Sequence, residues 1–225
     1  MPSFSVIIPC YRDEDKLAYL LYQLHQLPKG PEEIIVVDGA DSERCREICK
    51  QYSAHWLTSE PCRGEQLRAG AALAKAEVLW FLHADSRLDD HSLAALKAAC
   101  DKQDDNTLYY FNLAFYDGVL TRIHAWGANI RSRLLKAPYG DQGLLVRRSD
   151  YEAVGGYPDQ PLMEDVALAQ RLTGRLCRLD ATVSTSAERY VAGGWVRRGA
   201  RNLWTLARYL TGADPEHLAR KYRRR

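Results

Sequence analysis

No apolar run in this chain reaches the roughly 18 consecutive residues that a membrane-spanning helix needs. Met1-Pro2-Ser3-Phe4 leads straight into a strand-like pattern with neither a basic leader nor a long apolar core, so no secretory signal is expected. The resulting expectation is a cytoplasmic protein, or one held peripherally on the inner face of a membrane. Low-complexity segments and internal repeats are also missing, which removes the disordered and solenoid classes. No G-x-G-x-x-G follows the first strand-like run and no G-x-x-x-x-G-K-[ST] occurs anywhere, so neither common glycine loop is available to cradle phosphates. The six cysteines include Cys45 and Cys49 at i,i+4, but no second Cys or His pair falls at zinc-site spacing. Reduced thiols, packed as small hydrophobes, are the reading that follows.

What is present is a chain of 225 residues, 46% hydrophobic, enough for one substantial core. Its net charge of +2 conceals a division. Trp195–Arg225 holds nine Lys or Arg against two acidic residues, while residues 1–194 hold 22 against 27. Two parts are therefore expected: a domain over 1–194 and a basic helical extension over 195–225. In the extension Val196, Leu203, Leu206, Ala207 and Leu210 recur at helical spacing, with Arg197, Arg198, Arg201 and Arg208 on other faces. A second short helix is expected after Asp214-Pro215. Such a tail either packs on the domain or meets an anionic membrane surface. Nucleic acid is not an expected partner, because the main domain is acidic and carries no recognised nucleic-acid-binding motif.

Along the first half, strand-like runs at 4–9, 33–38, 54–58 and 78–82 alternate with helical patterns at 13–27, 41–52 and, after Pro61-Cys62-Arg63-Gly64, through the alanine-rich stretch to Ala76. That alternation predicts a parallel sheet with right-handed crossovers. The second half is irregular: strands over 108–115, 141–147 and 176–187, the last split around Asp180, with helices over 123–136 and 163–173. An α/β fold with a mixed, mainly parallel sheet is the expected outcome. In such sheets ligands bind beyond the carboxyl ends of the strands, which is where Pro9-Cys10-Tyr11, Asp38-Gly39 and His83-Ala84-Asp85 fall. A hard cation on Asp85, helped by Arg63 or Arg68, would hold a diphosphate without a glycine loop. Each residue also has an ordinary reading: Tyr11 as a strand-end aromatic, Asp38 as a turn residue beside Gly39, Glu164-Asp165 as acids in a first helical turn.

In order along the chain, Phe4–Asp13, Val36-Val37-Asp38-Gly39, His83-Ala84-Asp85, Gly140-Asp141-Gln142-Gly143, Val154-Gly155-Gly156-Tyr157-Pro158 and Leu162-Met163-Glu164-Asp165 resemble the motif set of family 2 glycosyltransferases. The His-Ala-Asp form and Thr185-Ser186-Ala187 are similar to a branch described as radical-SAM/selenodomain-associated transferases. The resemblance covers residues 3–190 and implies the Rossmann-like GT-A fold and an inverting transfer from a nucleoside diphosphate sugar, UDP-sugars favoured, to a small or lipid-linked acceptor. It also implies roles. Pro9, Tyr11, Asp38, Arg63, Arg68 and Asp85 would bind the nucleotide sugar, Tyr11 against the base and Asp38 accepting from a base N–H. Asp85 and His83 would hold a divalent metal, Mn2+ or Mg2+. Asp165, or else Glu164, would be the general base. Apart from the resemblance, Gln142, Arg189 and Trp195 could line the acceptor side, with packing or solvent exposure as their ordinary reading, and a loop at Gly193-Gly194-Trp195 could fold over the site. The family's pattern often has an acid where His83 stands, and a His–Asp pair suits Mn2+ better than Mg2+. The alternatives are a non-catalytic nucleotide-binding or scaffolding protein and a sugar-nucleotide pyrophosphorylase; the latter needs a glycine- and basic-rich first loop that Pro9–Asp13 does not supply.

Overall fold

In the computed structural model, which describes residues 3–27, 29–102, 104–116, 121–172 and 174–223, seven strands form one sheet. They are β1 (Phe4–Cys10), β2 (Glu33–Asp38), β3 (His55–Thr58), β4 (Val78–Phe81), β5 (Thr107–Phe115), β6 (Leu144–Arg147) and β7 (Arg175–Thr185), in the order β3-β2-β1-β4-β6-β5-β7. The helices are α1 (Glu14–His25), α2 (Glu43–Gln51), α3 (Arg63–Leu73), α4 (Asp90–Lys102), α5 (Thr121–Leu134), α6 (Arg148–Ala153), α7 (Glu164–Arg171), α8 (Glu188–Gly193), α9 (Trp195–Leu210) and α10 (Pro215–Arg223). A 3₁₀ turn spans Gly140–Gln142.

The apolar runs of the first half become strands because both faces of the sheet are covered. Val6, Ile8, Val36 and Trp80 pack on one side with Leu17, Leu21, Cys45 and Leu96 of α1, α2 and α4. Ile7, Ile35, Val37 and Phe81 pack on the other with Leu67 and Ala71 of α3, Tyr151 of α6 and Leu168 of α7. Gly70 lets α3 approach closely, since a Cβ there would lie 2.5 Å from the Ile7 side chain. β1 pairs in parallel with β2 on one side and β4 on the other, so the order of connection reverses between β1 and β4. That switch point opens a crevice at the carboxyl ends of both strands.

β6 runs antiparallel to β4 and β5, and β7 runs parallel to β5. The expected split of the last strand is a register shift opposite Tyr110–Asn112 within one continuous β7. The expected strand over 141–147 begins only at Leu144, because Gly140–Gln142 turns as 3₁₀ and Gly143 takes φ +60. α4 and α6 are helices the periodicity does not announce. For α4 the local signal is a reciprocal cap, in which Asp89 Oδ1 accepts the Ser92 amide at 2.7 Å and Ser92 Oγ accepts the Asp89 amide at 2.8 Å. All six cysteines are free thiols.

The C-terminal extension packs on the domain through few residues. Of α9 only Thr205 and Leu206 are buried, Leu206 with Ala137, Met163 and Val166; α10 buries Leu218 and Ala219. Val196, Ala200, Leu203, Ala207 and Leu210 form an exposed stripe. The anticipated loop over the site is helical instead: α8 and α9 meet at Gly194, the one residue between them. No helix among the described residues is long and apolar enough to cross a membrane.

Candidate active site

Two adjoining cavities, of about 130 and about 290 Å3, occupy the crevice at the switch point. Arg63, His83, Asp85, Leu162, Arg189, Arg198 and Tyr222 line both. Pro9, Cys10, Tyr11 and Asp13 close the larger one on the β1 side, whereas Asp141, Asp165, Tyr139 and Tyr190 wall the smaller one.

Asp165 sits in the first turn of α7 behind Met163, whose φ of +62 is unusual for a side chain with a Cβ and turns the chain into the helix. Its Oδ2 accepts the Gly140 amide at 2.7 Å and its Oδ1 accepts the Val166 amide at 2.8 Å. Each oxygen keeps a further lone pair. Burial raises its pKa, the neighbouring Glu164 raises it further, and Arg63 and the two amides oppose the shift. A carboxylate held in place, lining a cavity and more basic than usual is equipped to accept a proton.

Glu164 is paired with the Arg63 guanidinium. It is 1% exposed and does not line either cavity. Its place corrects the reading of Glu164 as an alternative base: it anchors Arg63, which does face both cavities. Asp85, after β4, makes no hydrogen bond or ion pair among the described residues and projects into both cavities. His83 is held neutral, its pKa lowered well below 6.5 by burial and by Arg63 and Arg189. Its Nε2 is buried without a partner. Gly140 faces that nitrogen so closely that a Cβ would lie 2.8 Å from it.

Several expected roles do not survive the geometry. Asp38 is 0% exposed, and its two oxygens accept the Ala40 amide at 2.8 Å and the Ser42 amide at 2.7 Å. It closes the turn into α2 and lines neither of the two cavities, so the base N–H assigned to it has no access there. Arg68 faces away from the crevice toward Asp159, at 3.6 Å; five residues after Arg63, it lies on another face of α3. Gln142 is 0% exposed and structural: Nε2 donates to the Phe111 carbonyl at 3.0 Å, and Oε1 accepts from Ser132, Arg131 and the Tyr139 amide. Trp195 stacks on Tyr190 with ring centres 5.2 Å apart, beside His124 and Phe115, and lies behind the cavity wall. Pro9, Tyr11, Arg63, His83, Asp85, Asp165 and Arg189 are the expected residues that the fold gathers around the cavities.

Asp141 and Gln66 complete the arrangement without having been singled out. Asp141 lines the smaller cavity with Oδ1 buried and unpartnered, and burial together with Asp85 raises its pKa; its signal was an acid between Gly140 and Gly143. Gln66 donates Nε2 to the carbonyls of Cys10 at 2.8 Å and Val37 at 2.7 Å, pinning the ends of β1 and β2. No sequence pattern marks that contact.

A mixed α/β sheet with a polar crevice at its switch point, walled by carboxylates and arginines, is an architecture of the GT-A type. The family follows from a direct match: residues 5–150 fit the model of glycosyl transferase family 2, and the chain belongs to that family. It is 24% identical over 196 residues to the O-antigen chain rhamnosyltransferase WbaN of Salmonella anatum, covering 76% of this chain but only 61% of that protein. Among solved structures it is similar to glucosyl-3-phosphoglycerate synthase from Mycobacterium tuberculosis in complex with Mn2+, UDP-glucose and phosphoglyceric acid. There the TM-score is 0.61 at 15% identity, over 88% of this chain and 76% of the other. It is also similar to TarS 1–349 of S. aureus, at TM-score 0.63 and 16% identity, over 96% and 68%. At these identities the structural likeness speaks for the fold.

Proposed function

We propose that the protein is an inverting glycosyltransferase that moves a sugar from a nucleoside diphosphate donor, a UDP-sugar by preference, to an acceptor hydroxyl. The observation that carries this reading is Asp165, a cavity-lining carboxylate fixed by two backbone amides and made more basic by burial. In the proposed reaction the acceptor O–H gives its proton to Asp165 while its oxygen attacks the anomeric carbon. The bond from that carbon to the diphosphate breaks on the opposite face, and the electron pair leaves with the diphosphate. Arg63, oriented by Glu164, faces the developing charge. Tyr11, exposed at the end of β1, offers its ring to the nucleobase.

The donor set fits a divalent metal. Among the described residues Asp85 has no partner and His83 Nε2 is an orphaned nitrogen of a neutral imidazole, a combination suited to Mn2+. No group of three or more His, Cys, Asp or Glu forms a metal cage among the described residues, so diphosphate oxygens and water would complete the coordination. Such an ion would supply electrostatic stabilisation of the leaving group. Mn2+, UDP-glucose and phosphoglyceric acid stand together in the mycobacterial synthase, which supports the reading. The His83-Ala84-Asp85 form is our ground for placing the chain in the radical-SAM/selenodomain-associated branch. We further assign to the basic C-terminal helices a contact with an anionic membrane surface.

The test is release of nucleoside diphosphate from UDP-, GDP- and dTDP-sugars with Mn2+, Mg2+ or chelator, in wild type and Asp85→Ala. Metal-dependent release from one donor, lost in Asp85→Ala, supports the proposal. Failure of every donor to bind in a direct titration refutes it.

A further inference from the structure

Of the thirteen large apolar side chains that stand exposed among the described residues, nine lie on or beside α5, α8 and α9. On α5 they form a line: Ile123, Trp126 and Leu134 are 66%, 67% and 76% exposed, and Ile130 continues the same face. The opposite face of α5 is the polar one. Asn129 bonds both the amide and the carbonyl of Leu113 in β5, and Ser132 reaches Gln142. This helix therefore turns its hydrophobic stripe outward, the reverse of what a helix packed on a soluble core does. α9 does the same with Val196, Leu203 and Leu210. The two helices touch at their N-terminal ends: His124 Nε2 is 3.1 Å from the Trp195 carbonyl oxygen, and a Cβ on Gly199 would touch the His124 ring at 3.5 Å.

Between them α5 and α9 carry seven arginines and no Asp or Glu. Arg122 and Arg133 flank the stripe of α5, Arg197 and Arg208 that of α9, and all four are exposed. Exposed apolar side chains among cations, with no carboxylate, match the interface of an anionic bilayer. A second copy of the chain fits poorly, because a two-fold contact would bring together two faces that carry arginines and no carboxylate.

We propose that α5 and α9 together form an interfacial face that docks on an anionic membrane, its apolar stripes entering the headgroup boundary. This deepens the assignment of the basic tail by adding a helix, α5, that lies outside the tail. The inner faces of the same helices wall the smaller cavity, through Ala128 and Arg131 on α5 and Arg198 and Asn202 on α9. Docking thus sets the cavity of the proposed transferase beside the lipid surface, within reach of a lipid-linked acceptor.

The full chain is tested by co-sedimentation with phosphatidylglycerol-containing vesicles and with pure phosphatidylcholine vesicles. The expected result is binding to the former alone, weakened about tenfold or more in Trp126→Ser/Leu134→Ser and restored in Trp126→Tyr. Melting temperature and solution release of nucleoside diphosphate should stay at wild-type values in the double variant, because neither residue lines a cavity. Absence of wild-type binding overturns the proposal. So does an α5 variant that binds like wild type, which would leave charge in the tail as the sole attachment. A wild-type dimer in sedimentation velocity that the double variant dissociates would make the occupant a second copy. Vesicle binding without donor turnover would leave the docking face standing and remove the transferase reading; turnover without binding would do the converse.

Discussion

Gly140 donates its backbone N–H to Asp165 Oδ2 at 2.7 Å, and this bond ties the 3₁₀ turn before β6 to the first turn of α7 across the floor of the crevice. Gly140 also lies against His83, so one glycine spaces the proposed base from the end of β4. Gly140→Ala would set a Cβ 2.8 Å from His83 Nε2. The expected outcome is a stability loss of about 1–3 kcal/mol and a disproportionate fall in donor turnover, compared by thermal melts and nucleoside diphosphate release.

The pH dependence of turnover should expose Asp165. A base must be ionised to act, so activity is lost as pH falls through its raised pKa and is full above it. Glu164 contributes to that raised value by repulsion, while Arg63 lowers it. Glu164→Gln removes the repulsion and releases Arg63 from its partner, and both changes favour ionised Asp165. The acid limb of the pH–rate profile should therefore move to lower pH. A limb that stays in place, in a variant with an unaltered circular dichroism spectrum, would show that another group governs it.

His83 is buried neutral, with its pKa depressed below the unfolded value of 6.5. Between the two values the unfolded chain binds the extra proton, so stability falls as pH drops below about 6.5 and is recovered above it. His83→Gln should flatten that slope in chemical denaturation measured across the range.

How much of this was legible can be followed residue by residue. β1, β2 and β4 could be read because strands buried on both faces need continuous apolar runs, and their carboxyl ends marked the crevice through Tyr11 and Asp85. Asp165 stood in the Leu162-Met163-Glu164-Asp165 motif, while Arg63 stood outside every motif, in Pro61-Cys62-Arg63-Gly64. What could not be read was direction. Asp38 looks the same in sequence whether it accepts from a nucleobase or from Ala40 and Ser42. Arg68 and Gln142 are polar residues near motifs, yet one faces Asp159 and the other fills a buried network. The stripe of α9 was visible in the spacing, but that it faces solvent depends on which few residues, Thr205 and Leu206, the domain chooses to bury.

Asp38→Ala separates the two roles of that carboxylate. Loss of the carboxylate that accepts the Ala40 and Ser42 backbone N–H groups in a buried turn should cost about 1–3 kcal/mol, read as a lower melting temperature. The UDP dissociation constant, measured where the variant is fully folded, should be unchanged.

The central claim rests most directly on Asp165→Asn, examined by UDP titration and by single-turnover release from the preferred donor in the presence of acceptor. The account predicts unchanged UDP affinity with release slowed about 10²- to 10⁴-fold, the range general-base removal produces. Release at the wild-type rate would contradict it, because the proton would then be leaving by another route.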